Sequence, residues 1–282
     1  MSFLEEIVHW TKQAVDERMS KRSLDEIRSE LPAPVARRPF MDALRTPGIS
    51  LIAEFKRSSP SHPELRAGAQ VEDYVDAYEN GGARALSILT EKRCFSGSLE
   101  DLRAAREKTS LPLLRKDFVV GEYQVYEAAE AGADAILLIA AVLRDDNELA
   151  NLHVLANELG LDALVEVRDK SELGRALSIK ADLIGVNNRN LETSRQAPRS
   201  FDVDPTRTAK LFHEIPASVT VVAESGLTTR TELDQLESLG VSAALIGSVL
   251  MEASDPAEKC RELTHSSRAT VPVSPADHPA LV

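Results

Sequence analysis

In LIAEFKRSSPS (51–61), Glu54 and Lys56 stand two residues apart where an apolar run gives way to charge and hydroxyls. The same event recurs down the chain. LRKDF brings Lys116 and Asp117, LVEV brings Glu166, GVNNRNL brings Asn187, Asn188 and Arg189, and VAESG brings Glu224 and Ser225. A buried charge is costly unless it is paired or used. Lysines and carboxylates gathered in one pocket can neutralise one another and serve as general acids and bases. Taken singly, each could be a solvated strand end. Falling together behind successive apolar runs, they read as one site. Two dipeptides add a second chemistry. Ser225-Gly226 and Gly247-Ser248 follow the last two runs, and glycine lets a backbone approach a phosphate closely.

Eight short apolar runs must position these groups: 51–55, 85–90, 112–118, 135–140, 163–167, 183–188, 220–225 and 243–248. Amphipathic stretches such as VEDYVDAYENGG and TTRTELDQLESLG lie between them, several closing on glycine as a helix C-cap does. GGARALSIL, AGADAILLI and LGVSAALIG form a faint internal repeat. Alternating strands and helices imply a parallel sheet, and eight units of this size predict an α/β (β/α)8 barrel. The rival is a doubly wound sheet, which lacks support from any nucleotide-binding glycine fingerprint. In such a barrel chemistry sits at the C-terminal strand ends, and phosphates bind after strands seven and eight. Side chains alternate along a strand, so Glu54 and Lys56 share a face. Apolar spacing of Leu4, Ile7, Val8, Val15 and Met19, then Leu24, Ile27 and Leu31, predicts two leading helices, with Trp10 packing the first. FMDALR (40–45) predicts one more turn or two. The expected division is a helical extension at 1–48, a barrel at 49–264 and a flexible tail at 265–282.

The composition, 43% hydrophobic and 28% charged, is that of a soluble globular protein. A net charge of -12 argues against nucleic-acid binding, though an anionic small ligand remains possible in a locally positive pocket. The opening MSFLEEIVHW has no basic-then-apolar leader, and the apolar run 135–143 is too short to span a bilayer. Cys94 and Cys260 have no metal or redox spacing, which fits a reduced, cytoplasmic protein. The six histidines form no metal-ligand pattern, and His62, behind the SSPS loop, is the one near the chemistry. The run 144–148 reads as a polar loop and helix start. Phe95 in KRCFSGS (92–98) could pack on an aromatic ligand or close the loop over the barrel.

AEFKRSSPS, LRKDF, LVEV, IGVNNRNLET, VAESG and LIGS, in this order over roughly residues 1 to 263, resemble the indole-3-glycerol phosphate synthases of tryptophan biosynthesis. The resemblance implies a (β/α)8 barrel with extra N-terminal helices and no metal or organic cofactor. It implies decarboxylating ring closure of an anionic, phosphorylated small molecule, 1-(2-carboxyphenylamino)-1-deoxyribulose 5-phosphate. Carried over by motif, Lys116 is the general acid, Lys56 binds the substrate carboxylate and could share the proton transfer, Glu166 serves the later dehydration as base or stabilises the cationic intermediate, and Glu54 holds the lysines. Asn187 and Arg189 position hydroxyls; Ser59, Ser61 and Glu224 complete the substrate contacts. Phe95, Phe118, Leu138 and Leu191 form a slot for the ring, and Ser225, Gly226, Gly247 and Ser248 hold the phosphate. The expected assembly is a monomer or weak dimer without nucleic-acid or membrane partners. Two departures stand out. His62-Pro63 replaces a pliant pair and stiffens a loop expected to move. SRQAPRS (194–200) lengthens the loop after strand six by seven residues. Competing readings are another phosphate-binding barrel, such as phosphoribosylanthranilate isomerase, and a silent barrel that only binds. The first needs a cysteine or aspartate acid–base pair. The second is disfavoured by the intact Glu54, Lys56, Lys116 and Glu166.

Overall fold

The computed structural model describes residues 2–31, 37–60, 62–190 and 203–265. Eight strands, β1 Ser50–Phe55, β2 Ala85–Leu89, β3 Leu113–Lys116, β4 Ala135–Ile139, β5 Asp162–Val167, β6 Leu183–Asn187, β7 Thr220–Glu224 and β8 Ala243–Ile246, pair in sequence order. The ring closes between β1 and β8, and every pairing is parallel. Three helices precede it: α1 Phe3–Lys21, α2 Leu24–Glu30 and α3 Phe40–Leu44. The outer ring comprises α4 Val71–Asn80, α5 Lys92–Phe95, α6 Leu99–Lys108, α7 Glu122–Glu130, α8 Asp146–Glu158, α9 Lys170–Ser178, α10 Arg207–Phe212, α11 Arg230–Leu239, α12 Ser248–Glu252 and α13 Pro256–Thr264. The fold is the (β/α)8 barrel expected from the eight-run pattern.

The strand alternation sorts the core into two shells. Leu51, Ala53, Leu86, Ile88, Ile136, Leu138, Val165, Ile184 and Ala244 pack outward against the helices. Ile52, Ala85, Leu114, Ala135, Leu164, Leu183, Val222 and Ala243 fill the interior. Phe40 and Leu44 of α3 join that interior cluster and close the barrel's N-terminal end. The backbone N–H of Arg38 donates to Asp134 at 2.8 Å and that of Met41 to Asp162 at 2.8 Å, seating the plug at the starts of β4 and β5. Two residues further along the same inward face, the apolar layer gives way to Glu54, Ser87, Lys116, Leu137, Glu166, Gly185, Glu224 and Leu245. The alternation that fills the base therefore carries the charges to the C-terminal rim.

Helix α1 starts with a capping box, Ser2 with Glu5, and α11 with another, Thr229 with Glu232. Gly240 ends α11 in a left-handed conformation, φ 105°, as its position after the last periodic leucine predicts. Leu4 and Ile7 of α1 cluster with Phe118, Ile139 and Ala141, so the first helix covers the rim while α3 plugs the base. Met19, expected on the apolar face of α1, is 38% exposed, because the buried stripe ends at Val15. Trp10 is half-buried and packs on α5, with the Arg93 guanidinium 3.8 Å from its ring centroid. Six of the strands end one or two residues earlier than the apolar runs, β1 and β5 being the exceptions: Thr90, Asp117, Phe118, Asn188, Ser225 and Gly247 have left the ladder. The KRCFSGS loop contains the helical turn α5, where the Arg93, Cys94 and Phe95 amides donate to the Glu91 carboxylate. All of the expected tail beyond His265, and the loop 194–200, lie outside the described residues.

Candidate active site

A cavity of about 340 Å³ opens at the C-terminal ends of the strands. Glu54, Lys56, Lys116, Glu166, Asn187, Arg189 and Glu224 all line it, drawn from β1, β3, β5, β6 and β7 and the loops behind them. The Lys56 ammonium lies 2.8 Å from Glu54 Oε1, and Ser87 Oγ donates to Glu54 Oε2 at 3.4 Å. Lys116 Nζ lies 3.6 Å from Glu166 Oε2 and 3.6 Å from Glu224 Oε2. Asn187 Nδ2 donates to Glu166 Oε1 at 3.0 Å, and Asn187 Oδ1 accepts the Arg189 backbone N–H at 2.9 Å. One amide thus fixes a carboxylate on one side and the rim loop on the other.

The charges set one another's protonation. Burial works against the Lys116 ammonium, but Glu166, Glu224 and Glu54 outweigh it and hold its pKa above the ordinary lysine value. Burial also works against ionised Glu54, and Lys56 and Lys116 overcome it, keeping that carboxylate below its usual range. Glu224 goes the other way. Burial, together with the neighbouring Glu166 and Glu54, overrides the attraction of Lys116 and pushes Glu224 up to about 8. Burial lowers Arg189 from the ordinary arginine value, with Glu54 partly offsetting it. Glu166 and Glu224 are each 1% exposed, and among the described residues Glu166 Oε2 and Glu224 Oε1 have no hydrogen-bond partner. The site therefore holds a charged Lys116 with the ionised Glu54 and the readily protonated Glu224, the equipment for moving protons at neutral pH.

Apolar walls complete the cavity. Phe95 and Phe118 face each other at 6.2 Å between ring centroids, tilted by 39°. Leu138 does not join them. Side chains alternate along β4, so Leu138 points outward into the helix layer, and Leu137 and Ile139 line the cavity in its place. Leu245 adds to the same wall. Ser59 lines the mouth with Pro60 and His62, and Ser59 and His62 exchange backbone hydrogen bonds at 2.9 and 3.0 Å. Ser61 and Leu191 lie outside the described residues. Ser225, Gly226, Gly247 and Ser248 also line the cavity, behind β7 and β8. Ser225 is left-handed, φ 67°, and so is Gly226, φ 78°. Asn188 Nδ2 donates to Ser225 O at 3.1 Å and steadies this unusual turn.

Two glycines matter through what they leave empty. A Cβ on Gly247 would stand 2.5 Å from Glu54 Oε1 and 2.9 Å from Lys56 Nζ. A Cβ on Gly185 would overlap Glu224 Oε1 and stand 3.2 Å from its Cδ. Gly185 was not singled out from the sequence, although a glycine inside a strand is itself a sign of close approach. Among the described residues, no cluster of three or more His, Cys, Asp or Glu side chains is arranged to hold a metal ion, and no helix is long and apolar enough to cross a membrane.

A family model described as indole-3-glycerol phosphate synthase matches residues 4–263. The chain belongs to the indole-3-glycerol phosphate synthase family. The indole-3-glycerol phosphate synthase of Nocardioides sp. (strain ATCC BAA-499 / JS614) is 43% identical over 264 residues, covering 94% of this chain and 98% of that one. That of Albidiferax ferrireducens is 40% identical, covering 92% of this chain and 97% of the relative. Among solved structures, 3-hexulose-6-phosphate synthase from Salmonella typhimurium superposes with a TM-score of 0.60 at 15% identity, covering 76% of this chain and 96% of that one. Thiamine phosphate pyrophosphorylase from Pyrococcus furiosus gives 0.56 at 19%, covering 76% and 93%. These two likenesses show the barrel. In this chain Glu54, Lys56, Lys116, Glu166, Asn187, Arg189 and Glu224 of the quoted motifs line the cavity described above.

Proposed function

We propose that this protein is an indole-3-glycerol phosphate synthase that closes the indole ring of 1-(2-carboxyphenylamino)-1-deoxyribulose 5-phosphate, releasing carbon dioxide and water. The observation that carries this reading is the meeting of Lys116 with two buried carboxylates at 3.6 Å, inside the rim cavity of a chain that belongs to this family. Lys116 protonates the ribulose carbonyl oxygen as the ring carbon bearing the carboxylate attacks the carbonyl carbon. The new carbon–carbon bond leaves the ring cationic. Cleavage of the carboxylate bond returns its electron pair to the ring and expels carbon dioxide. The electrons need no separate sink, so an organic cofactor has no task in this step. Glu166 then takes the proton from the carbon beside the nitrogen and passes it to the hydroxyl, which departs as water.

Lys56 draws the substrate carboxylate into the mouth, held ready by Glu54. The ring lies against the Phe95–Phe118 pair and over Leu137 and Ile139, while Ser59 and Arg189 meet the polar groups of the ribulose chain. The Ser225-Gly226 and Gly247-Ser248 lips take the phosphate, the place where barrels of this kind commonly bind one. Folding a flexible chain against its own ring supplies much of the acceleration. The reading includes a cytoplasmic setting and a monomer or weak dimer. It includes no nucleic-acid partner, supported by the net charge of -12.

The test is a fluorescence assay for the indole product on the purified protein and on Lys116→Ala. The parent should turn over, and the variant should lose about 10²- to 10⁴-fold in kcat while remaining folded. Near-parental turnover by a folded Lys116→Ala would refute the role of Lys116, and a parent without turnover would refute the reaction.

A further inference from the structure

Arg115 is the neighbour of catalytic Lys116 on β3, and the strand's alternation turns it out of the barrel into the layer beneath α7. Its side chain is 1% exposed. A guanidinium so placed needs its charge and donors met. Nε donates to Thr90 Oγ1 at 3.1 Å, Nη1 to the Gln124 carbonyl at 2.7 Å, and Nη2 to Asp117 Oδ2 at 2.9 Å and Glu127 Oε2 at 3.3 Å.

Two of these partners have a second task. Asp117 Oδ1 accepts the Phe118 backbone N–H at 2.8 Å, and Gln124 Nε2 donates to the Phe118 carbonyl at 3.0 Å. Both main-chain polar groups of the residue that forms one wall of the ring slot are thus held by residues gathered on Arg115. The other end of the network reaches the surface. Glu127 binds Arg18 of α1 through both of its oxygens, and the Arg18 side chain is 36% exposed. Asp117 lies close enough for its charge to be felt at Arg18. Two arginines and two acids form a continuous, balanced chain from the outer helix to the cavity wall.

We infer that Arg115 and Arg18 are positioning residues, holding Phe118 opposite Phe95 so that the ring slot is formed before substrate arrives. The kinetic part of this inference rests on the proposed ring closure; the structural part does not. A preformed slot contributes binding in ground and transition states alike, so loosening it falls on KM. Arg28 supplies the contrast. It ties α2 to the same α7 helix through Glu122 at 2.8 Å and stacks on Tyr126 at 4.9 Å, a route that bypasses Glu127. If α1 and α2 merely dock on the barrel, the two arginines are equivalent.

The experiment compares the full-length parent with Arg18→Met, Arg28→Met, Asp117→Asn and the Arg18→Met/Asp117→Asn double variant. Hydrogen exchange is followed at the Phe118 and Val120 amides, and kcat and KM by product fluorescence. Arg18→Met should speed exchange at Phe118 and raise KM about five-fold, the size of one coupling within a buried ion network. Arg28→Met should leave both at parental values. The double variant should be no worse than Asp117→Asn alone, because the chain is already cut. Equal behaviour of Arg18→Met and Arg28→Met, or effects that multiply independently, would overturn the inference. Should Asp117→Asn not fold, Arg18→Lys decides: a partial return towards parental exchange supports the chain, and exchange identical to the parent in Arg18→Met refutes it. Failure of the parent to turn over would sink the reaction and leave the exchange comparison standing.

Discussion

Adding one methyl group at Gly185 should damage catalysis far more than folding. The new Cβ would overlap Glu224 Oε1 and stand 3.2 Å from Cδ, with Leu164 Cδ1 at 3.3 Å on the other side. Ordinary contact requires the Glu224 carboxyl to retreat by about 1 Å, and a shift of that size in an active site can cost about 10²-fold. Glu224 Oε2 is one of two carboxylate oxygens at 3.6 Å from Lys116 Nζ, so its retreat disturbs the proposed acid directly. The fold has less to lose. Alanine is better than glycine inside a strand by roughly 0.5–1 kcal/mol, against overpacking of typically 1–3 kcal/mol. The net destabilisation is about 0–2.5 kcal/mol, a fall in Tm of at most about 10 °C for a domain of this size. Steady-state fluorescence kinetics and a melting curve on Gly185→Ala test both halves. A folded variant with parental kcat/KM would show that Glu224 has no positional role, and a variant that fails to fold would show that the cavity absorbs no movement.

Protonation of Glu224 gives a stability signature. Its pKa rises from an ordinary 4.5 to about 8 in the folded state, so the folded protein binds the extra proton between those values. The contribution of this group to stability therefore falls as pH rises from about 4.5 to about 8, with a slope up to about 1.4 kcal/mol per pH unit. Denaturant unfolding across this window should show that slope in the parent and its loss in Glu224→Gln; parallel curves would contradict the assignment. Leu137→Ala should raise KM and also destabilise, whereas Leu138→Ala should cost about 2–5 kcal/mol of stability and leave KM unchanged. Equal KM effects would mean that the two faces of β4 are misassigned. Gly247→Ala should weaken substrate binding, since its Cβ would stand 2.9 Å from Lys56 Nζ, and an unchanged KM would remove Lys56 from the carboxylate contact.

The phase of a barrel strand is legible when one of its faces is polar. At the end of β1, Glu54 and the following Lys56 set the phase against Ala53 and Phe55, and both line the cavity. β4, AILLI, is apolar on both faces because one fills the barrel and the other meets the helices, so nothing in the letters separates Leu137 from Leu138. β3 poses the opposite problem: Arg115 and Lys116 are both charged, yet one points in and one out. The fate of Arg115 depends on Glu127 and Arg18, residues of α7 and α1 that only the fold brings near it. The N-terminal segment was readable as helices but not as a plug and a cover, since Phe40 and Leu4 acquire those roles from the two ends of a barrel far along the chain. The glycines at 185 and 247 are informative only once the carboxylates beside them are placed.

A crystal structure of the protein with a non-cyclising reduced form of the substrate tests the central claim most directly. The account places the phosphate against Ser225-Gly226 and Gly247-Ser248, the ring against the Phe95–Phe118 pair, and the carbon that replaces the carbonyl beside Lys116. A ligand bound with its ring away from the two phenylalanines, or with Lys116 out of reach of that carbon, would contradict it.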